Sequence, residues 1–340
     1  MKRSMDDLVK EDMNKEQELP ASIRLAFDQS YEQIRQQSKK KVKKSWLKPV
    51  SAAVAVFALS SAVLLTNDTA LAKLQAFLGI NDPGLEVATQ NGDLQYMAQT
   101  QQAENITITL DNFFADAYRL ALQLKIESQH ILKDNLNYLD FEYRLFDAEG
   151  KEIDAFVSDT KEIAGPGIYG GLNFKLTNIQ NGSATLEFLA ESPTTTAPSL
   201  EGARLVVETV HFVNNEGNVT SVDGEWAFEL TSGSVVTQVY VAENSVPGLT
   251  LEQAIVTNGS MQVSYKIDGL NEDNSHPIFK TAIVNSNGES FYAKIADVVR
   301  LEKEKQTMIS LVFPYSVWNE QQSLSLKVKG YEELKLVEKE

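Results

Sequence analysis

From residue 104 onward, apolar and polar residues alternate in short runs that are separated by polar turns. Ile106, Ile108 and Leu110 open the pattern, and residues 118–126 repeat it. Further runs lie at 139–145, 183–190, 203–213, 225–231, 235–242, 251–257, 261–267, 278–285, 290–297, 307–313 and 323–329. Alternation with a period of two is typical of strands that bury one face. The pattern therefore predicts a mainly β fold built from antiparallel sandwiches.

These strands form two sets. The polar stretch 231–234 separates them, so we predict one β-rich domain over 67–232 and a second sandwich domain over 233–340. In the second set, Asn258-Gly259 and Asn287-Gly288 predict hairpin turns, because both residues tolerate the positive φ that such turns need.

The region between 66 and 100 has no single period. A short helical piece is predicted at 71–78, and the residues Asn81-Asp82-Pro83-Gly84 and Asn91-Gly92 are turn signals.

An apolar run precedes the strands. Residues 50–65 contain sixteen positions without a charge, which as a helix would be roughly 24 Å long, a little short of the ~30 Å hydrocarbon core. We therefore predict a transmembrane helix at 50–66. A buried core helix and a cleaved signal peptide, suggested by Ala70-Leu71-Ala72, are the alternatives. The 49 residues before the run favour an uncleaved anchor, because they are far longer than a signal peptide's basic region.

A lysine cluster lies directly before the apolar run. Residues 35–48 contain six lysines and no acidic residue. Positive charge beside a transmembrane helix keeps that side in the cytoplasm, so the C-terminal part is predicted to lie outside. We expect Lys43, Lys44, Trp46 and Lys48 to lie at the membrane interface, where long cationic and aromatic side chains reach the headgroups.

The tail, residues 1–49, contains a second helical pattern. Leu19, Ile23, Phe27, Tyr31 and Ile34 follow at steps of four, four, four and three, which places them on one face of an amphipathic helix. A tail this small has no core of its own, so the stripe predicts a partner-binding face for another chain, the membrane surface or a second copy. The alternative is a passive helical stalk.

The charge is distributed unevenly. The net charge is −16, made of +4 in residues 1–49 and −20 in the rest. An acidic outer part argues against nucleic acid as a partner, because phosphate binding needs a basic face. The chain has no cysteine, which excludes disulfides, thiolate metal sites and a cysteine nucleophile.

No residue pattern indicates catalysis, so we expect no enzyme, no cofactor and no metal site. His130, His211 and His276 are far apart in sequence, and a solvated turn is expected around His130 and Asp134. A solvated turn is also expected at 271–274. The run 165–170 satisfies G-x-G-x-x-G, but it precedes a predicted strand at 172–177 rather than a helix, so it offers no dinucleotide site.

Two tryptophans are expected in cores rather than at binding surfaces. Trp226 and Trp318 both lie in strand-like surroundings. Burial is the commoner fate of so large an apolar side chain.

Several segments together resemble a known family. They are Leu19-Pro20 with Ile23, Tyr31 and Ile34 before the lysine run, Asn91-Gly92, residues 105–109, residues 115–120, and the pair 251–256 and 261–267. The chain resembles a domain-of-unknown-function family of Gram-positive single-pass membrane proteins similar to anti-sigma factors, the negative effectors of extracytoplasmic-function sigma factors. In such proteins an immunoglobulin-like domain often follows the first outer domain.

The resemblance implies a fold and a function. It implies two immunoglobulin-like sandwiches outside the cell membrane, and a cytoplasmic tail that holds a sigma factor through Ile23, Phe27, Tyr31 and Ile34. The outer domains would sense envelope conditions, a ligand or an envelope protein and control release of the sigma factor. The alternative interpretation is a surface-anchored binding or structural module whose tail is passive.

Overall fold

The computed structural model describes residues 82–194, 199–231, 235–269, 280–319 and 323–339. These residues are mainly β, and every strand pair among them is antiparallel. The predicted tail helix, the predicted membrane segment 50–66 and the predicted helical piece at 71–78 lie outside them. Within the described ranges, no helix is long and apolar enough to span a bilayer.

The first element is helix α1, Pro83–Gln90. The turn predicted over 81–84 is wrong at its second half, because Pro83 and Gly84 begin this helix. Asp82 caps it by accepting a hydrogen bond from the backbone N–H of Leu85 at 3.1 Å. An aspartate cap followed by proline in the first turn is a favourable helix start. The chain then turns at Asn91 and Gly92, as predicted, with Gly92 at φ +88°.

Within the described ranges, nine strands form the first sandwich. They are β1 Gln95–Ala103, β2 Ile106–Ala115, β3 Arg119–Glu127, β4 Leu136–Phe146, β5 Glu152–Phe156, β6 Gly171–Gln180, β7 Ser183–Glu191, β8 Arg204–Asn214 and β9 Val219–Glu229. One sheet has the order β1-β2-β3-β7-β6 and the other β5-β4-β8-β9. The inward faces of both sheets share one hydrophobic core, which is the arrangement that period-two alternation predicts.

Aromatic side chains fill the centre of this core. Phe188 lies between Phe174, Phe141 and Tyr143, with ring centroids 5.0 to 5.5 Å apart. Trp226 is fully buried, as predicted, and its indole N–H donates to the carbonyl of Ile106 at 3.1 Å. That bond joins a strand of one sheet to a strand of the other.

A glutamine closes one side of the sandwich. The register of β1 shifts between Tyr96 and Gln99, and the bulge turns the Gln99 side chain toward β9. Its amide donates to the carbonyl of Glu229 at 2.7 Å and accepts the N–H of the same residue at 3.1 Å. The side chain thus substitutes for one step of a backbone ladder and covers two sheet edges.

Nine further strands form the second sandwich in the part of the chain that the structure describes. They are β10 Gln238–Ala242, β11 Leu249–Val256, β12 Met261–Asp268, β13 Thr281–Asn285, β14 Ser290–Tyr292, β15 Ile295–Leu301, β16 Gln306–Phe313, β17 Leu324–Val328 and β18 Leu334–Glu338. The strand order is β14-β13-β17-β18-β10-β11-β12-β16-β15. Strand β10 pairs with β11 through residues 238–239 and with β18 through residues 240–242. The two halves enclose one core, which makes β10 the strand that the two layers share.

Most predicted strands are present, and the exceptions have physical reasons. The predicted run 290–297 is two strands, because the chain leaves the sheet at Ala293 and Lys294. Strands β1, β5 and β18 were not predicted, since the sequence of β1 is largely polar and β5 and β18 are only five residues long each. The two predicted hairpins at Asn258-Gly259 and Asn287-Gly288 connect β11 to β12 and β13 to β14.

Candidate functional site at the junction of the two sandwiches

The site residues predicted from the sequence lie outside the described part of the chain, so they stay predictions. They are the tail stripe Leu19, Ile23, Phe27, Tyr31 and Ile34, and the interface residues Lys43, Lys44, Trp46 and Lys48. The most distinctive polar arrangement that the structure does describe lies where the two sandwiches meet, which belong to one compact unit.

Arg119, the first residue of β3, is the centre of this junction and is completely buried. Its Nη1 donates to Asp82 Oδ1 at 2.9 Å and to the carbonyl of Gly259 at 3.1 Å. Its Nη2 lies 2.6 Å from Glu191 Oε1. A buried guanidinium is stable only when it is paired, and here two carboxylates and one carbonyl supply the pairing.

Asp82 connects the two sandwiches electrostatically. Besides Arg119 of the first sandwich, its Oδ2 binds Lys294 of the second at 3.1 Å. Burial by itself would raise the pKa of Asp82, but Arg119 and Lys294 outweigh burial and hold that pKa below its usual value. The carboxylate at the start of α1 is therefore ionised and shared by both sandwiches.

The pKa values of the other two ionisable partners, Glu191 and Arg119, are both raised. Burial raises the pKa of the Glu191 carboxyl, which Arg119 only partly offsets and Asp82 reinforces. Burial disfavours the Arg119 cation, yet Asp82, Glu191 and Asp116 together raise its pKa above the ordinary value. Two carboxylates thus compete for one buried cation.

Asp116 fixes a turn of the second sandwich onto the first. Its Oδ1 accepts the backbone N–H groups of Tyr118 and Arg119, each at 2.9 Å. Its Oδ2 takes three donors from the β11–β12 turn: Thr257 Oγ1 at 2.7 Å, Gly259 N at 3.0 Å and Ser260 Oγ at 2.9 Å. Five donors fix the position of this carboxylate. Removing it would leave several buried donors without an acceptor, which is costly.

Two glycines allow this close approach. A Cβ on Gly84 would overlap the carbonyl oxygen of Gly259, and a Cβ on Gly259 would lie 2.6 Å from the Phe114 ring. The start of α1, the β11–β12 turn and strand β2 therefore meet with no room for a side chain.

Helix α1 packs on the outer face of the first sandwich. Leu85 and Ala88 join Phe114, Ala121 and Leu189 in a small apolar cluster separate from both sandwich cores. Beyond the helix, Asp93 Oδ2 accepts the indole N–H of Trp318 at 2.5 Å. The prediction that Trp318 is a core residue is wrong, since it is 39 % exposed and lies at the junction.

A second polar arrangement surrounds the glycine-rich loop. Asp154 Oδ1 accepts the N–H groups of Ile168 and Tyr169 at 2.7 and 3.0 Å, and Glu152 Oε1 accepts that of Gly165 at 2.8 Å. The loop leads into strand β6, as predicted. Its N–H donors already face two carboxylates, so the surroundings repel a phosphate.

An ionic network covers the outer face of the sheet β5-β4-β8-β9. We call it the sheet-face cluster: Glu142, Arg144, Glu152, Lys161, Glu208 and His211. Lys161 Nζ lies 2.6 Å from Glu142 and 3.0 Å from Glu208, and Arg144 lies 2.9 Å from Glu208.

His211 places a serine and a carboxylate on either side of one imidazole ring. Its Nδ1 lies 2.8 Å from Ser221 Oγ, and its Nε2 lies 3.5 Å from Glu142 Oε1. The sequence did not suggest this arrangement, which depends on the pairing of β8 with β9 and with β4. Glu142 is already bound by Lys161 and by the N–H of Ser158. The arrangement of Ser221, His211 and Glu142 is therefore part of the ion network. Over the described ranges, no group of three or more histidine and acidic side chains is arranged to hold a metal ion.

The sequence places Arg119 in a predicted strand and residues 115–120 in the family resemblance, but it does not indicate that Asp116 and Arg119 lie at a junction. One signal was available. Arg119 and Glu191 occupy positions of apolar strands where a charge is expensive unless it is paired.

Comparison with known proteins adds little. No protein-family model and no curated protein matches the chain. Among solved structures, a conserved domain protein from Bacillus anthracis is similar at 12 % identity, covering 72 % of this chain and 89 % of its own, with a TM-score of 0.41. Bovine butyrophilin is similar at 13 % identity, covering 66 % and 92 %, with a TM-score of 0.19. Likenesses this distant carry no argument about function.

Proposed function

We propose that this chain is a single-pass membrane regulator of the anti-sigma kind. Its cytoplasmic tail holds a sigma factor through the stripe at Leu19, Ile23, Phe27, Tyr31 and Ile34. Its two outer sandwiches, of immunoglobulin-like type, sense the state of the envelope through a ligand or an envelope protein. The lysine cluster and the apolar run 50–65 support the topology, because together they match an anchor with its N-terminus inside.

One observation carries the proposal beyond a passive anchor. The apolar run ends at Leu65, and after residues 66–81 the chain arrives at Asp82. Asp82 binds Arg119 of the first sandwich and Lys294 of the second. A residue that both outer sandwiches hold therefore follows the predicted membrane segment along the chain, and a change in their arrangement would reach the segment that leads to the membrane.

The test is capture of a sigma factor from membranes of the native host. Phe27→Asp places a charge in the tail stripe, whereas Gln29→Asp places the same charge off the stripe and is the matched control. We expect the unaltered chain and Gln29→Asp to bring down a sigma factor, and Phe27→Asp to bring down none while still entering the membrane.

The opposite result has a clear meaning. If the unaltered chain captures no sigma factor, and a copy lacking residues 1–37 brings down the same envelope proteins as the full chain, the tail is a stalk. The protein would then be a surface-anchored binding module.

A further inference from the structure

We propose that residues 82–93 form a detachable strap that joins the two sandwiches and separates from them while both sandwiches stay folded. The strap consists of Asp82, helix α1 and the turn that ends at Asp93. Its detachment as such needs no sigma factor. Its use as a signal rests on the proposed function, in which the chain before Asp82 leads to the membrane.

The attachment points of the strap lie on both sandwiches. Its start binds Arg119 and Lys294 through Asp82, and its end binds Trp318 through Asp93. Its middle rests on the outer face of β2, β3 and β7. A segment that contacts both bodies along its length holds them in one arrangement for as long as it is bound.

The apolar contact of the strap is small. Leu85 and Ala88 are its only buried apolar side chains within the helix, and they join a cluster of five residues rather than either main core. Regions with few buried apolar contacts open at lower free energy than the whole fold. An eight-residue helix is also unstable alone in water, so α1 unfolds once it leaves the surface.

The charges at the junction tolerate detachment. When Asp82 leaves, Arg119 keeps Glu191 at 2.6 Å and the carbonyl of Gly259 at 3.1 Å. The buried cation therefore retains a carboxylate partner in both states, which avoids the large cost of an orphaned charge. Once Asp82 has left, Glu191 no longer shares Arg119 with the strap carboxylate and pairs with Arg119 alone.

The two sandwiches do not depend on the strap alone. Asp116 still holds the turn 257–260, and Gln262 still donates to the carbonyl of Pro193 at 3.1 Å. Detachment would therefore loosen the junction without freeing one sandwich from the other.

The absence of cysteine in the sequence allows a direct experiment. A single cysteine at Ala88, which is fully buried on the side of helix α1 that faces the first sandwich, reacts with a maleimide only when the strap opens. Ala254→Cys is the matched control, because Ala254 is equally buried in the core of the second sandwich. Both variants are made in the full chain and labelled in vesicles with the outer domains exposed to the reagent.

We expect Ala88→Cys to react at least about tenfold faster than Ala254→Cys, because opening of a local segment costs less than global unfolding. Adding Asp82→Asn should accelerate labelling at position 88 and leave labelling at position 254 unchanged. Equal rates at the two positions, or equal acceleration of both by Asp82→Asn, would show that the strap opens only with the whole fold and would overturn the proposal.

The outcome is separable from the proposed function. Fast labelling at position 88 in a chain that captures no sigma factor would support the strap and contradict the regulator. Capture of a sigma factor with equal labelling at both positions would do the reverse.

Discussion

The junction and the sheet-face cluster are built from the same kinds of side chain but have different physical roles. Arg119 is completely buried and has named partners on three elements. Lys161 of the sheet-face cluster is 31 % exposed, and water can replace its partners. Loss of a partner costs far more free energy for a buried charge than for an exposed one. The stability of the fold therefore depends on the buried ion pair much more than on the surface pair.

The largest expected effect comes from removing the buried cation. Arg119→Met leaves Asp82 and Glu191 without their shared partner, and we expect it to lower the free energy of unfolding by about 3–5 kcal/mol. Urea unfolding followed by tryptophan fluorescence measures this. Arg119→Lys is the informative companion, since a point charge cannot reach both carboxylates in fork geometry. A loss below about 1 kcal/mol for Arg119→Met would place the junction in the same class as a surface pair.

A smaller loss of stability is expected at Asp116, whose carboxylate holds the β11–β12 turn rather than a cation. Asp116→Asn replaces one acceptor oxygen by an amide donor that faces three other donors. We expect a loss of about 2–3 kcal/mol. Asp147→Asn, in an exposed turn where Asp147 accepts one backbone N–H, is the control and should change stability by under ~1 kcal/mol. Equal effects of the two changes would contradict the importance of the junction turn.

Glu187 extends the comparison to a buried carboxyl for which burial outweighs the nearby cation, Lys175. Burial raises its pKa to about 7, and Lys175 and Gln123 lower it only partly. Because the folded pKa exceeds the unfolded one, the protein binds more protons when folded, so stability falls as pH rises from about 4.5 to about 7.

Glu187→Gln should remove that decline and make the protein more stable than the unaltered chain at pH 8, by about 1–2 kcal/mol. Urea midpoints measured at pH 5 and pH 8 test this. Asp82 has the opposite sign, since its lowered pKa gives stability that is lost as pH falls. Identical pH profiles for Glu187→Gln and the unaltered chain would contradict the assignment.

The smallest effect is expected on the sheet face. Lys161→Gln breaks contacts to Glu142 and Glu208. The partly exposed Glu208 regains water, and the buried Glu142 keeps the N–H of Ser158 and the hydroxyl of Thr209 as donors. We expect a loss of under ~1 kcal/mol that shrinks further at high salt. A loss as large as that of Arg119→Met would mean that burial is not what separates the two clusters.

Most strands could be predicted because they carry their own alternating signal. Leu120, Leu122, Leu124 and Ile126 alternate with other residues, and all four are buried in β3. Strand β1 carries no such signal, because most of its side chains are polar. Its pairing with β2 decides its structure. Helix α1 was missed because Asp82-Pro83-Gly84 has the composition of a turn, while an aspartate cap and a first-turn proline equally begin a helix.

The junction could not be predicted, because it depends on contacts between distant positions. Arg119 meets Asp82 across 37 positions and Gly259 across 140. No local pattern specifies which carboxylate a buried arginine will find. The tail stripe is the reverse case, since its spacing is a local signal that the described residues do not test.

The strand shared by the two layers of the second sandwich has a mechanical consequence. Strand β10 follows the connection from the first sandwich and pairs antiparallel with β11 on one stretch and with β18 on the next. Ladder bonds run perpendicular to such a strand, so tension along it loads both ladders in shear. The bonds must then yield together rather than peel one at a time. We therefore expect both ladders to oppose a pull transmitted through the connection.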